Sequence, residues 1–107
     1  MSLREKVLII EDELDIAKIL SEIITEEGYE CIVMNSSTQA QNYLIQNHLN
    51  ISLVVSDISM PDMSGIEMIT HCMYQCGYLP TVLITAHSDF EFTQNAIQLG
   101  IIDYILK

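Results

Sequence analysis

Residues 54–65 read VVSDISMPDMSG. With Ile51 and Leu53 before it, the stretch opens as an almost wholly apolar run, stops on Asp57, and turns into a loop carrying Pro61, Asp62 and Gly65. Such a run marks a strand covered on both faces, as the strands of a parallel sheet are when helices lie on either side. A carboxylate at its end borders a core that cannot solvate it, so Asp57 needs an ion, hydrogen-bond donors or water. Ser64 followed by Glu67 is a capping box for a helix through Ile66, Ile69 and Met73 towards Gly77.

The same alternation of strand and helix recurs on both sides of this stretch. Lys6 to Ile10 is a first strand candidate that runs into Glu11, Asp12 and Glu13. From Leu14 the period becomes helical, with Leu14, Ala17, Leu20, Ile23 and Ile24 on one face and Gly28 placed to end the helix. A weaker strand at Cys31 to Met34 precedes a helix capped by Ser36 or Ser37, with Ala40, Tyr43 and Leu44 inward. Beyond Pro80, Val82 to Ile84 forms the core of a fourth strand, and Ser88 with Glu91 caps a helix through Phe92, Ala96, Ile97 and Leu99. Gly100 ends that helix, and Ile101 to Leu106 make a fifth strand that leads to Lys107. The expected architecture is α/β: a doubly wound, five-stranded parallel sheet.

Composition narrows the function. The 107 residues fit one domain, 1–107; 50% are apolar and 18% charged, which excludes disorder. No uncharged apolar run is long enough to span a membrane, and the start, MSLREKVLIIEDE, lacks a secretory pattern, so a cytoplasmic location is expected. Cys31, Cys72 and Cys76 do not complete a four-ligand zinc pattern and read as free thiols. Fifteen acids against four basic residues give a formal net charge of −11, a surface that repels nucleic-acid phosphates. Arg4, Lys6 and Lys18 lie near the start, and the next Lys or Arg is Lys107.

In an open parallel sheet the ligand crevice lies beyond the carboxyl ends of the strands, where the strand order reverses. Glu11, Asp12, Asp57, Thr85 and Lys107 would share that rim. Carboxylates gathered without a counter-charge raise one another's pKa, and a hard divalent cation with oxygen ligands relieves this. Each residue also has an ordinary reading: Glu11 and Asp12 as helix-dipole partners, Thr85 as a β-former, Lys107 as a solvated tail.

These residues resemble the receiver domain of two-component response regulators, over the whole chain. The family's acidic pair matches Glu11 and Asp12 in VLIIEDE, and its D-x-x-M-P-x-x-x-G phosphoacceptor pattern matches Asp57 in DISMPDMSG. The switch hydroxyl and the small residue after it match Thr85 and Ala86, the switch aromatic Tyr104, and the lysine Lys107 in DYILK. The resemblance implies a flavodoxin-like strand order, 2-1-3-4-5. It further implies that Asp57 takes a phosphoryl group from the phosphohistidine of a sensor histidine kinase or histidine phosphotransfer protein. Mg²⁺, or Mn²⁺ in its place, would be held by Asp12, Asp57 and the backbone carbonyl of Ser59, with Glu11 acting through water. Lys107 would reach the phosphoryl group, while Thr85 and Tyr104 would convert its arrival into a changed helix 4/strand 5 face, also the face for a homodimer. Such a domain is a self-dephosphorylating switch rather than a turnover enzyme; Ser59 and His87 flank the path of a hydrolytic water. The family's usual Asp is Glu11 here, and its usual fifth helix would follow Lys107, so an exposed apolar strip beside the last strand is expected. Two other readings are a receiver-like binding module that is never phosphorylated and a Mg²⁺-dependent phosphohydrolase. In the latter a second Asp would stand where Ser59 does.

Overall fold

Lys6–Ile10 (β1), Glu30–Met34 (β2), Leu53–Asp57 (β3), Thr81–Thr85 (β4) and Asp103–Leu106 (β5) form one parallel sheet in the order β2-β1-β3-β4-β5. The computed structural model describes residues 5–85 and 103–106. Within them, α1 (Leu14–Glu26) joins β1 to β2, α2 (Ser37–Asn47) with a 3-10 turn (His48–Asn50) joins β2 to β3, and α3 (Gly65–Cys76) joins β3 to β4. The expected strand order holds, and it reverses where β1 and β3 lie side by side. The helix expected from Ser88 to Leu99, the beginning of the last strand, and Ala86, His87 and Lys107 lie outside the described residues.

The apolar runs are explained by two cores. Side chains alternate across a strand, so Leu8, Ile10 and Val54 meet Ala40, Leu44, Met68, Ile69 and Cys72 under α2 and α3. Val7, Ile9, Val55 and Ile84 pack on the other face, with Leu20 and Ile24 of α1. Every residue from Val7 to Ile10 is therefore buried, each large one contributing about 1.5 to 3 kcal/mol.

The face of α1 is narrower than its sequence suggests. Ala17 is buried and Leu20 and Ile24 pack on the sheet, but Leu14 is 75% and Ile23 55% exposed. Ile23 lies roughly 100° around the helix from Ile24, and Leu14 occupies the first helical position, past the end of β1. Gly28, after the end of α1, and Gly77, at the end of α3, have φ of 99° and 87°, a conformation in which a Cβ is strained.

All three cysteines are free. Burial, with Cys76 nearby, pushes the Cys72 thiol up to about 11, so it is a protonated packing group under α3. Among the described residues no helix is long and apolar enough to cross a membrane.

Candidate functional site

Asp57 is the last residue of β3 and is 1% exposed. Its position follows from the strand: Val54 and Val55 are locked into opposite cores, and β3 pairs with β1 and β4 on either side. The chain beyond it is held as firmly. Ile58 N–H donates to the Ile84 carbonyl at 3.0 Å, and the Ile58 side chain packs against Leu83 and Ile66. Ser59 N–H donates to Asp57 Oδ1 at 3.1 Å, which fixes the carboxylate from its own loop.

Glu11 and Asp12 follow directly on β1. Glu11 is fully buried; its N–H donates to the Met34 carbonyl at 3.0 Å, and its Oε2 accepts from Glu13 N–H at 3.3 Å at the start of α1. The helix-partner role and a place at the rim thus coexist in one side chain. Asp12 is exposed. Glu11, Asp12 and Asp57 each bring a carboxylate oxygen to a common point, all within 4.8 Å of one another.

Beside them opens a cleft of about 430 Å³ lined by Asp12, Ile58, Ser59, Met60, Pro61 and Ser64. Met60 is buried in the core below α3, and the loop returns to the strand end at Gly65, whose N–H donates to the Ile58 carbonyl at 2.8 Å. A Cβ at Gly65 would run into the Asp57 carbonyl oxygen and come within 2.9 Å of Ser56 Oγ. That closeness is why the pattern requires glycine here: α3 begins against the backbone of the strand-end aspartate. Ser64 caps α3 by accepting from Glu67 N–H at 3.0 Å, the first half of the expected box.

The donor set suits a hard divalent cation: three carboxylates, all oxygen, two of them buried and one open to solvent. Three negative charges this close favour a positive partner by simple Coulomb interaction. Thr85, 1% exposed, ends β4 one position beyond the Asp57–Ile84 pair, so it stands on the same rim. Tyr104 on β5 pairs with Leu83 of β4 and is 43% exposed, and neighbouring Ile105 is 48% exposed. Lys107 lies outside the described residues.

The structure also brings in a residue that the sequence offered only as loop. Asp62 Oδ2 accepts from Ser36 Oγ and from Thr38 N–H, each at 2.8 Å, and Oδ1 from Ser37 N–H at 3.3 Å. These bonds, led by the one from Thr38 N–H, hold its carboxyl well below the usual carboxylate range. The nearest sequence signal is the cap run at Ser36, Ser37 and Thr38, and nothing local connects it with position 62.

Comparison with known proteins bears on the chain and its fold as a whole. The response regulator receiver domain family matches residues 7–107. The chain is 34% identical over 101 residues to the DNA-binding transcriptional regulator NtrC of Proteus hauseri, covering 94% of this chain and 21% of that protein. It is 30% identical over 104 residues to the transcriptional regulatory protein CitT of Halalkalibacterium halodurans, covering 95% of this chain and 45% of that one. The chain thus spans less than half the length of either relative. Among solved structures, a response regulator receiver domain protein from Clostridium thermocellum superposes with a TM-score of 0.89 at 25% identity, covering 95% of this chain and 81% of the other.

Proposed function

Since the chain belongs to the response regulator receiver domain family of two-component signalling, whose members are switches rather than turnover enzymes, we propose that Asp57 is the phosphoacceptor of a Mg²⁺-dependent switch. The observation that carries this reading is the meeting of Glu11, Asp12 and Asp57 carboxylate oxygens within 4.8 Å at the strand ends.

A carboxylate oxygen of Asp57 forms the new bond to phosphorus, and the phosphorus–nitrogen bond of a phosphohistidine breaks, its electron pair leaving with the imidazole. The donor is a sensor histidine kinase or a histidine phosphotransfer protein, the partner class the family implies. Asp57 is a weak nucleophile; its competence comes from orientation by the rigid end of β3 and by the Ser59 N–H at 3.1 Å. Asp12, Asp57 and the Ser59 carbonyl would hold the metal ion, with Glu11 acting through water. Bound there, the ion supplies positive charge against the phosphoryl oxygens, the main source of stabilisation in phosphoryl transfer. Lys107 takes a matching role through its place in the family's pattern.

Thr85 would donate its hydroxyl to the phosphoryl group, a role supported by its position at the end of β4, one residue beyond the Asp57–Ile84 pair. Tyr104, partly exposed on β5, is the side chain whose rotation carries the change to the helix 4/strand 5 face. That face is also where a phosphorylation-dependent homodimer would form. The names of the relatives speak of transcriptional regulation, and a regulator whose DNA contacts lie outside these residues suits a chain with a net charge of −11.

Incubation with Mg²⁺ and acetyl phosphate, followed by intact-mass measurement, tests the assignment. The expected result is a gain of one phosphoryl group that disappears in Asp57→Asn and when the metal is chelated. A folded wild-type protein that gains nothing, or an Asp57→Asn variant that gains the same mass, would overturn it.

A further inference from the structure

We infer that Asp62 is a positioning residue for the metal site: its carboxylate fastens the β3–α3 loop, which carries the Ser59 carbonyl, to the N-terminus of α2. This rests on the reading of Asp12, Asp57 and Ser59 as metal ligands and adds to it a residue outside the ligand set.

The loop is tied at its two ends to its own strand and helix. Ser59 N–H bonds to Asp57 Oδ1 at 3.1 Å, Gly65 N–H to the Ile58 carbonyl at 2.8 Å, and Ser64 caps α3. Asp62 ties the middle of the loop to a different element, through the Ser36 hydroxyl and the Ser37 and Thr38 N–H groups. The first N–H groups of a helix have no partner within it and carry partial positive charge, so an anion from elsewhere in the chain is held firmly there. Ser36 serves both elements at once, accepting from Gln39 N–H at 3.2 Å as the cap of α2 and donating to Asp62 at 2.8 Å.

α2 is in turn linked to the acids from the other side, because the strand that leads into it, β2, accepts Glu11 N–H at the Met34 carbonyl. A circuit of hydrogen bonds therefore runs from Glu11 to Met34, along the chain to Ser36, across to Asp62, and along the loop to Ser59 and Asp57. With the Asp62 connection cut, the loop between Met60 and Ser64 keeps its two ends and the packing of Met60 and Met63 on the core, and loses its hydrogen bonds to α2. The carbonyl it offers to the ion is then less well placed, as happens when an outer-shell partner of a metal ligand is lost.

The test compares wild type with Asp62→Ala, Asp62→Asn, Ser36→Ala and the Asp62→Ala/Ser36→Ala double variant. Mg²⁺ affinity is measured by titration calorimetry, and the rate of acetyl phosphate modification is followed as a function of Mg²⁺. Asp62→Ala is expected to weaken Mg²⁺ binding about tenfold, the lower end of outer-shell effects, while the rate at saturating Mg²⁺ is kept. Asp62→Asn, which retains an acceptor oxygen, restores most of the affinity, and the double variant is no weaker than Asp62→Ala because one connection is broken in both. Should Asp62→Ala fail to fold, Ser36→Ala and Asp62→Asn carry the same comparison. Unchanged Mg²⁺ affinity with a lowered melting temperature would make Asp62 a helix cap only and overturn the inference while leaving the site intact. A wild-type chain that binds no Mg²⁺ would overturn the reading of the site, and the inference with it.

Discussion

Gly65 shows how one missing methyl group can matter to the chemistry at a neighbouring residue. The start of α3 lies so close to β3 that a side chain at this position would occupy the space of the Asp57 carbonyl and crowd Ser56 Oγ at 2.9 Å. Gly65→Ala should therefore push the helix start away from the strand end, at a cost of about 1 to 3 kcal/mol in stability as other overpacked sites show. Chemical denaturation would measure that loss, and Mg²⁺ titration of the same variant would show weaker binding, because the displaced backbone is the one that orients Asp57. Asp57 itself was recognisable as an acid ending an apolar run. That it is 1% exposed and held by the Ser59 N–H became visible only in three dimensions.

At the scale of elements, the helix beginnings do more than end in caps. Ser36 and Ser64 each accept the expected bond from the residue at the third helical position, Gln39 and Glu67. α2 additionally receives the Asp62 carboxylate, whose pKa is depressed in the folded state. The sign follows directly: the unfolded chain binds this proton more readily, so the stabilisation is fully present above the unfolded value of about 3.9 and is lost as pH falls below it. Melting temperatures taken from pH 6 downward should fall more steeply for wild type than for Asp62→Asn below pH about 4. Parallel acid limbs for the two proteins would remove Asp62 from the account. At this scale the sequence also misled in one place: its helical period put Leu14 and Ile23 on the inner face of α1, whereas both are largely exposed. Periodicity marks a stripe but not where the sheet beneath it stops.

Across the whole molecule, the sheet collects charge at one edge. Two cores hold β1, β3 and β4 in register, and the consequence is three carboxylates within 4.8 Å of one another. Folding thus works against their mutual repulsion, and a cation that binds the folded chain alone stabilises it by mass action. Mg²⁺ at about a hundred times its dissociation constant should add about 2.7 kcal/mol and raise the melting temperature by roughly 10 °C, with chelation reversing the rise. Asp57→Asn, with one charge fewer, should be the more stable protein without metal and respond less to it. A wild-type melting temperature indifferent to Mg²⁺ would argue against a metal at this edge.

The sequence by itself determined the parallel sheet and the candidate acids, because both are written in local pattern. Apolar runs covered on two faces, helical periods between them, and Glu11, Asp12, Asp57 and Thr85 at the strand ends can each be read within a few residues. Strand order then followed from the chemistry those ends shared with a known family. Tertiary structure alone decided the distances between the carboxylates, which atoms a side chain at position 65 would strike, and the partnership of Asp62 with Ser36, Ser37 and Thr38. Each of these depends on how closely two distant segments approach once the cores have packed, and pattern along a chain carries no measure of that separation.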